Sequence, residues 1–221
     1  MKQNQSFFTA LDGRVKFIRG NYNITSDAVW LSAFAAGRGG ATVLDAGTGT
    51  GGAALCLLHH CPDAIVTGID ISEQMLAECT QNAMLNNRKI ELIHSDLLTW
   101  KTNRTFDTVI TNPPYFKGTP RKQNVHHNVN LYDWTRACLR RVKPRGYFYC
   151  IVDATIIAEI ISALNAGRAS DITIVPLFGN KDSAERALVS ACLGTRGGTK
   201  ILRGFDMNDN GVLRDGKIII T

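Results

Sequence analysis

Thr42-Val43-Leu44-Asp45-Ala46-Gly47-Thr48-Gly49-Thr50-Gly51-Gly52 is the stretch on which the reading of this chain turns. A short run of β-branched and apolar residues ends in an acid, and closely spaced glycines then lead into a helical pattern from Ala53 to His59. Strand, glycine turn and helix in that order present a ligand loop at the C-terminal end of a parallel strand. Gly47 to Gly52 satisfies the pattern G-x-G-x-x-G, and Asp70 lies 18 residues beyond Gly52, close to the spacing of a ribose-binding acid. Asp45 argues against a dinucleotide. A carboxylate at the strand end would repel a pyrophosphate seated on the next helix N-terminus, where anions are otherwise favoured.

Working outward, Ala64 to Ile69 reads as a second strand ending at Asp70, and Ser72 is placed to cap a helix from Glu73 to Leu85 that Asn86-Asn87 closes. Further strands are predicted at Ile90 to Ile93, Asp107 to Thr111 and Gly146 to Val152, with a helix around Tyr132 to Val142 and a Lys143-Pro144-Arg145-Gly146 turn. Asp153 is placed to cap a helix to about Ala166. This alternation predicts right-handed crossovers and a doubly wound, mostly parallel α/β sheet. Asp171 to Phe178 and Arg186 to Leu193 leave no room for a helix between them, which predicts an antiparallel pair at one edge. Residues 1–40 read as a loosely ordered polar arm followed by a short helix, Ala28 to Ala35, capped by Ser26 or Asp27. Residues 41–200 form the sheet domain, and 201–221 a tail whose Asn208-Asp209-Asn210-Gly211 predicts a small hairpin.

A ligand that carries an ammonium and a sulfonium but no phosphate suits Asp45. S-adenosylmethionine is therefore the expected cofactor, held by Asp45, Gly47, Thr48, Gly49 and Gly51. Asp70 would take its ribose hydroxyls and Asp96, just past the third strand, its adenine amino group. As purely structural residues, the glycines would serve a tight turn, Asp70 a helix cap and Asp96 a solvated loop.

Asp107 to Thr111 delivers Asn112-Pro113-Pro114-Tyr115 to the same rim of the sheet. An exocyclic amine or an amide nitrogen is a poor nucleophile because its lone pair is delocalised. Its two N–H groups could donate to the Asn112 side-chain oxygen and the Pro113 carbonyl, aiming the lone pair at a methyl donor. Pro113 and Pro114 stiffen these acceptors, and Tyr115 would stack on a planar substrate. Asn112, Pro113, Pro114 and Tyr115 are thus the candidate catalytic residues, with Asn112 also bordering the cofactor.

The chain of 221 residues, 44% hydrophobic and 20% charged, can bury one substantial core. A net charge of +6 favours a polyanionic partner. Lys117, Arg121 and Lys122, with His126 and His127, form a basic loop after the tetrapeptide; Arg136, Arg140, Arg141, Lys143 and Arg145 form a second cluster. Either would otherwise be a solvated surface. The six cysteines contain no Cys-x-x-Cys pair, so neither a zinc site nor a disulfide framework is expected, and no metal ligand set is evident. With no signal-peptide pattern and no membrane-length apolar run, the expectation is a cytoplasmic protein without membrane contact.

The order Asp45-x-Gly-x-Gly-x-Gly, Asp70, Asp96, Asn112-Pro113-Pro114-Tyr115 resembles the Rossmann-fold methyltransferases that modify amino groups. Ser26-Asp27 before an apolar helix, the short arm, Phe116 after the tetrapeptide and the late run Arg186-Ala187-Leu188-Val189 resemble the bacterial tRNA1(Val) (adenine-37-N6)-methyltransferase family over nearly the whole chain. That resemblance implies a class I methyltransferase fold with a seven-stranded sheet. It also implies methylation at N6 of an adenine beside the tRNA anticodon, by a monomer with S-adenosylmethionine as donor. Ser26, Asp27, Ile71 and Leu97 join the implied cofactor residues, and Phe116, Lys117, Arg121 and Lys122 the implied RNA contacts. Three positions depart from the family: Ser26 for Thr, Phe116 for Tyr, and Arg145 for a Gly of the Lys-Pro-Gly-Gly turn. Glutamine methyltransferases of release factors share Asn-Pro-Pro-Tyr but carry a large helical N-terminal domain, whereas about 40 residues precede the first strand here. DNA adenine methylation and a non-catalytic RNA-binding module complete the alternatives.

Overall fold

The computed structural model describes residues 6–20, 24–37, 41–114 and 129–218. In chain order the elements are β1 (Phe7–Ala10), β2 (Val15–Ile18), α1 (Ser26–Ala36), β3 (Thr42–Ala46), α2 (Gly52–His60), β4 (Ile65–Asp70), α3 (Glu73–Leu85), β5 (Ile90–His94) and β6 (Phe106–Thr111). There follow α4 (Leu131–Leu139), β7 (Val142–Asp153), a 3-10 turn at Ala154–Ile156, α5 (Ile157–Ala166), β8 (Ala169–Phe178), β9 (Ala184–Leu193), β10 (Thr199–Ile201), β11 (Phe205–Asp206) and α6 (Asn210–Asp215).

The main sheet runs β10-β8-β9-β7-β6-β3-β4-β5, and β11 also pairs with β8. β3, β4, β5, β6 and β7 are mutually parallel, while β9 is antiparallel to both β7 and β8. From β3 the chain winds one way through β4 and β5, then returns to lay β6 on the other side of β3. The gap between β3 and β6 at their C-terminal ends is the switch point where open α/β sheets bind ligands.

Alternation along the strands builds a core on each face. Phe148, Cys150 and Val152 of β7 pack with Leu44, Val109 and the α4 and α5 residues Trp134, Cys138, Ile160 and Leu164. Tyr149 and Ile151 face the other way, toward Trp30 and Phe34 of α1 and Leu57 of α2. Burial on both faces is why these strands read as nearly continuous apolar runs.

Three expectations are corrected. The N-terminal arm is an antiparallel hairpin: Phe7 pairs with Ile18 and Ala10 with Val15. Phe8 stacks on Phe17 at 5.5 Å, and Leu11, Val15 and Phe17 are buried. Asp12-Gly13, both at positive φ, makes the turn, a hairpin signal flanked by strands only four residues long. The tail is not a hairpin. β10 and β11 run parallel to β8, extending the sheet from seven strands to nine among the described residues, and Asp209 caps α6 by accepting from the Gly211 and Val212 amides at 2.8 and 3.3 Å. Asx side chains that close turns also cap helices, so the local pattern fits both outcomes. Finally, the N-cap position of α1 is Thr25, whose side chain makes no capping hydrogen bond, and Ser26 and Asp27 lie inside the first turn.

The tail closes over α1, whose residues from Asp27 to Ala35 are all buried. The Trp30 indole N–H donates to the Met207 carbonyl at 3.2 Å and its ring meets Phe205 at 5.9 Å. Trp30 is fully buried, a contribution on the order of 3 kcal/mol with its one polar atom satisfied. The described residues contain no helix long and apolar enough to cross a membrane.

Candidate active site

β3 ends in Asp45-Ala46, and the chain then turns through Gly47, Gly49 and Gly51 at φ +73°, +54° and +86°, conformations that any side chain would strain. The Gly47 and Thr48 amides donate to the Ile69 carbonyl at 2.9 and 3.0 Å, tying the loop to the end of β4. A Cβ on Gly51 would stand 2.7 Å from the Cys79 sulfur, so α3 backs the loop directly.

Asp45 is 2% exposed and accepts from the Thr48 hydroxyl at 2.8 Å. Burial pushes its carboxyl up to about 7; the Thr48 hydrogen bond opposes this and the neighbouring Asp70 charge adds to it. Among the described residues it has no ion pair. To ionise there, the acid needs a positive charge beside it. Asp70 accepts the Gly49 amide on one oxygen and the Ser72 amide on the other, both at 2.9 Å. These bonds fix the carboxylate and leave lone pairs for hydroxyl donors. β4 and β5 pair Asp70 with His94, and the Ser95 amide donates to the Asp70 carbonyl at 3.0 Å, which brings Asp96 to the same rim. Asp96 is half-buried and accepts the Leu98 amide at 2.9 Å. Ile71 is exposed on this rim, whereas the side chain of Leu97 is packed in the core.

Asn112 follows directly on β6. Register pairs Thr111 with Ala46, so Asn112 leaves the sheet beside Gly47. The Thr111 hydroxyl donates to the Ala46 carbonyl at 2.8 Å and accepts from the Trp134 indole N–H at 3.0 Å. Trp134 also lies 3.2 Å from where a Gly47 Cβ would be, so one α4 side chain supports both the loop and the strand end. Asn112 is half-buried, Pro113 buried and Pro114 exposed. Tyr115, Phe116, Lys117, Arg121 and Lys122 lie outside the described residues, as do His126 and His127.

The start of α1 reaches this site as well: a Cβ on Gly52 would meet Ile24 at 2.7 Å and Ala28 at 3.3 Å. Ser26 is exposed there. Asp27 is buried against Arg186, whose Nε donates to its carboxylate at 3.1 Å, and Arg186 also stands 3.9 Å from Asp153. The second basic cluster does not adjoin the site. Lys143 pairs with Asp107 at 2.9 Å at the beginning of β6, the opposite end from Asn112, and Arg141 donates to the Trp100 and Thr102 carbonyls at 2.6 and 2.7 Å. Sequence reasoning missed Thr111, Trp134 and Arg186 as site supports. A tryptophan in an apolar helix pattern was the usable hint, since a buried indole N–H needs a partner. Among the described residues no group of three metal-binding side chains occurs.

Residues 20–156 match the model of the methyltransferase small domain, which takes in the glycine loop, the three acids and Asn112. The chain belongs to the methyltransferase small domain family. This methyltransferase small domain is 27% identical over 131 residues to the tRNA1(Val) (adenine(37)-N6)-methyltransferase of Glaesserella parasuis, covering 56% of each chain. It is 39% identical over 92 residues to the release factor glutamine methyltransferase of Flavobacterium psychrophilum, covering 41% of this chain and 32% of that one. The chain therefore spans about half the length, or less, of these curated relatives. The structure of a predicted O-methyltransferase from Agrobacterium tumefaciens superposes with a TM-score of 0.71 at 23% identity, over 88% of this chain and 98% of that one. The fold is that of the class I S-adenosylmethionine-dependent methyltransferases.

Proposed function

We propose that this methyltransferase small domain transfers a methyl group from S-adenosylmethionine to N6 of an adenine in tRNA, beside the anticodon. The observation that carries the amine chemistry is the register of β3 and β6, which sets Asn112 next to the glycine loop. The cofactor fits the residues present: a buried acid without an ion pair among the described residues, a loop whose three glycines adopt positive φ, and Asp70 fixed by two amides. Asp45 would face its charged amino-acid end, Asp70 its ribose and Asp96 its adenine, with Ser26, Asp27, Ile71 and Leu97 around them.

Bound there, S-adenosylmethionine supplies a methyl group already activated by a positive sulfur. The protein's part is then orientation. The Asn112 side-chain oxygen and the Pro113 carbonyl accept the two N–H groups of the target amine and turn its lone pair toward the donor. Neither group removes a proton before attack, because the nitrogen becomes acidic only once alkylated and then releases its proton to water. Tyr115 offers a stacking face for the base, and Lys117, Arg121 and Lys122 bind phosphates around it.

RNA rather than a glutamine side chain is favoured by the extent of likeness. The adenine-modifying relative matches over 56% of its length and the glutamine-modifying one over 32%. The net charge of +6 agrees with a polyanionic, cytoplasmic substrate. Incubation with methyl-labelled donor, unmodified tRNA and a release factor together tests the choice. Label that is released by ribonuclease and survives protease supports it; label released only by protease overturns it.

A further inference from the structure

Beyond the residues that would touch donor or substrate, α3 carries a stripe that backs the glycine loop. Met75 stands 3.6 Å from where a Gly49 Cβ would be, and Cys79 stands 2.7 Å from that of Gly51. Asn82 continues the stripe at the next helical position facing the loop. It is 2% exposed, and its amide is used in both directions. Nδ2 donates to the Thr50 carbonyl at 3.0 Å, and Oδ1 accepts the Ile18 amide of β2 at 2.8 Å. One turn further on, Asn86 accepts the Lys16 amide at 2.8 Å and donates back to the Lys16 carbonyl at 2.6 Å. Two asparagines four residues apart thus bond the free edge of β2 much as a neighbouring strand would, but only Asn82 also reaches the loop.

The 50–51 peptide is held from both sides. The Gly51 N–H donates to the Thr48 carbonyl at 2.9 Å, and the Thr50 carbonyl is taken by Asn82. This peptide precedes the left-handed Gly51 from which α2 starts, so its orientation sets the direction of the loop between Asp45 and the helix. Without Asn82, Thr50 would keep a buried carbonyl lacking its partner, and the loop would have a reason to rotate.

We propose that Asn82 is a positioning residue for the donor loop, and that through it the N-terminal hairpin and the donor site are linked. The proposal rests on the reading of the loop as an S-adenosylmethionine site. Linkage is reciprocal: ligand bound at the loop should tighten the hold on β2 at Ile18, and the loss of Asn82 should weaken ligand binding.

Titration calorimetry with S-adenosylhomocysteine on the full chain separates the possibilities. The wild-type protein is expected to bind; if it does not, the donor-site reading fails first. Asn82→Ala is expected to bind about tenfold more weakly, whereas Asn86→Ala, which loses two hairpin bonds and one to the Asn82 backbone carbonyl but none to the loop, stays within about twofold of wild type. Equal weakening in both variants, or none in Asn82→Ala, would overturn the proposal. If Asn82→Ala does not fold, amide hydrogen exchange on the wild-type protein gives the answer. S-adenosylhomocysteine should slow exchange at the Ile18 amide more than at the Lys16 amide. The same change at both would refute the link.

Discussion

At the scale of single residues, Asp45 carries the clearest consequence. Its carboxyl is raised to about 7, chiefly by burial, from an ordinary carboxylate value in the unfolded chain. A group raised on folding contributes stability below its unfolded pKa that is lost as pH climbs through the folded value. The unliganded protein should therefore lose stability between about pH 4 and about pH 7 at this site. A cationic donor favours the ionised form, so the shift in melting temperature given by S-adenosylmethionine should grow from about pH 5.5 to about pH 7.5, approaching tenfold in affinity per pH unit on the acid side. Scanning fluorimetry at several pH values checks this; Asp45→Asn should flatten the profile, and a flat wild-type profile would contradict the role given to Asp45. Asn112 makes a different demand. Asn112→Ala removes one acceptor for the target amine, so turnover should fall by about 100-fold or more while S-adenosylhomocysteine affinity stays within about twofold of wild type. Parallel calorimetry and initial-rate measurements separate the two effects, and an equal loss in both would assign Asn112 to donor binding.

At the scale of elements, β7 opens with a register shift opposite Phe106 and Thr108, and Arg145 sits in that bulge at φ +63°. The side chain is exposed, and the position is one at which glycine is free of strain. Arg145→Gly should therefore raise stability by about 0.5–1 kcal/mol, or roughly 1–4 °C in melting temperature for a domain of this size. A lower melting temperature would mean that the arginine makes a compensating contact. The bulge illustrates what the sequence shows and what it hides. Lys143-Pro144-Arg145-Gly146 marked an irregularity at the right place, and the alternation in Tyr147 to Val152 marked a strand buried on both sides. Glycine spacing located the tight loop after β3, because the backbone there needs positive φ at three positions. Ser72 as a helix cap was legible for a similar reason, since it accepts the Met75 amide within one turn. By contrast, the hairpin is built of strands four residues long, too short for periodicity to register, and the hold that Asn82 exerts on Ile18 spans 64 positions. Nothing local to either residue encodes such a pair.

At the scale of the whole molecule, α1 is a helix with no solvent face, enclosed by α2, the sheet and the tail. That explains why its sequence from Ala28 to Ala35 lacks an amphipathic pattern and why the tail is part of the structure. Val212 of α6 is 6% exposed in the core that contains Trp30. Val212→Asp would bury an unpaired charge there and should cost about 2–4 kcal/mol, seen as a fall of several degrees in melting temperature. An unchanged melting temperature would show that the tail is dispensable for stability. The same enclosure brings the start of α1 to the glycine loop at Gly52 and fixes Asp27 on Arg186, so donor loop, Asn112 rim and N-terminal elements form one unit. In the proposed function this unit methylates an exocyclic amine of adenine in RNA. The most direct test is to incubate the protein with S-adenosylmethionine and unmodified tRNA, digest the tRNA to nucleosides and identify the methylated product by mass spectrometry. The account predicts N6-methyladenosine with the wild-type protein and little or none with Asn112→Ala. Unmodified adenosine throughout, alongside methylglutamine on a release factor in the parallel reaction, would contradict it.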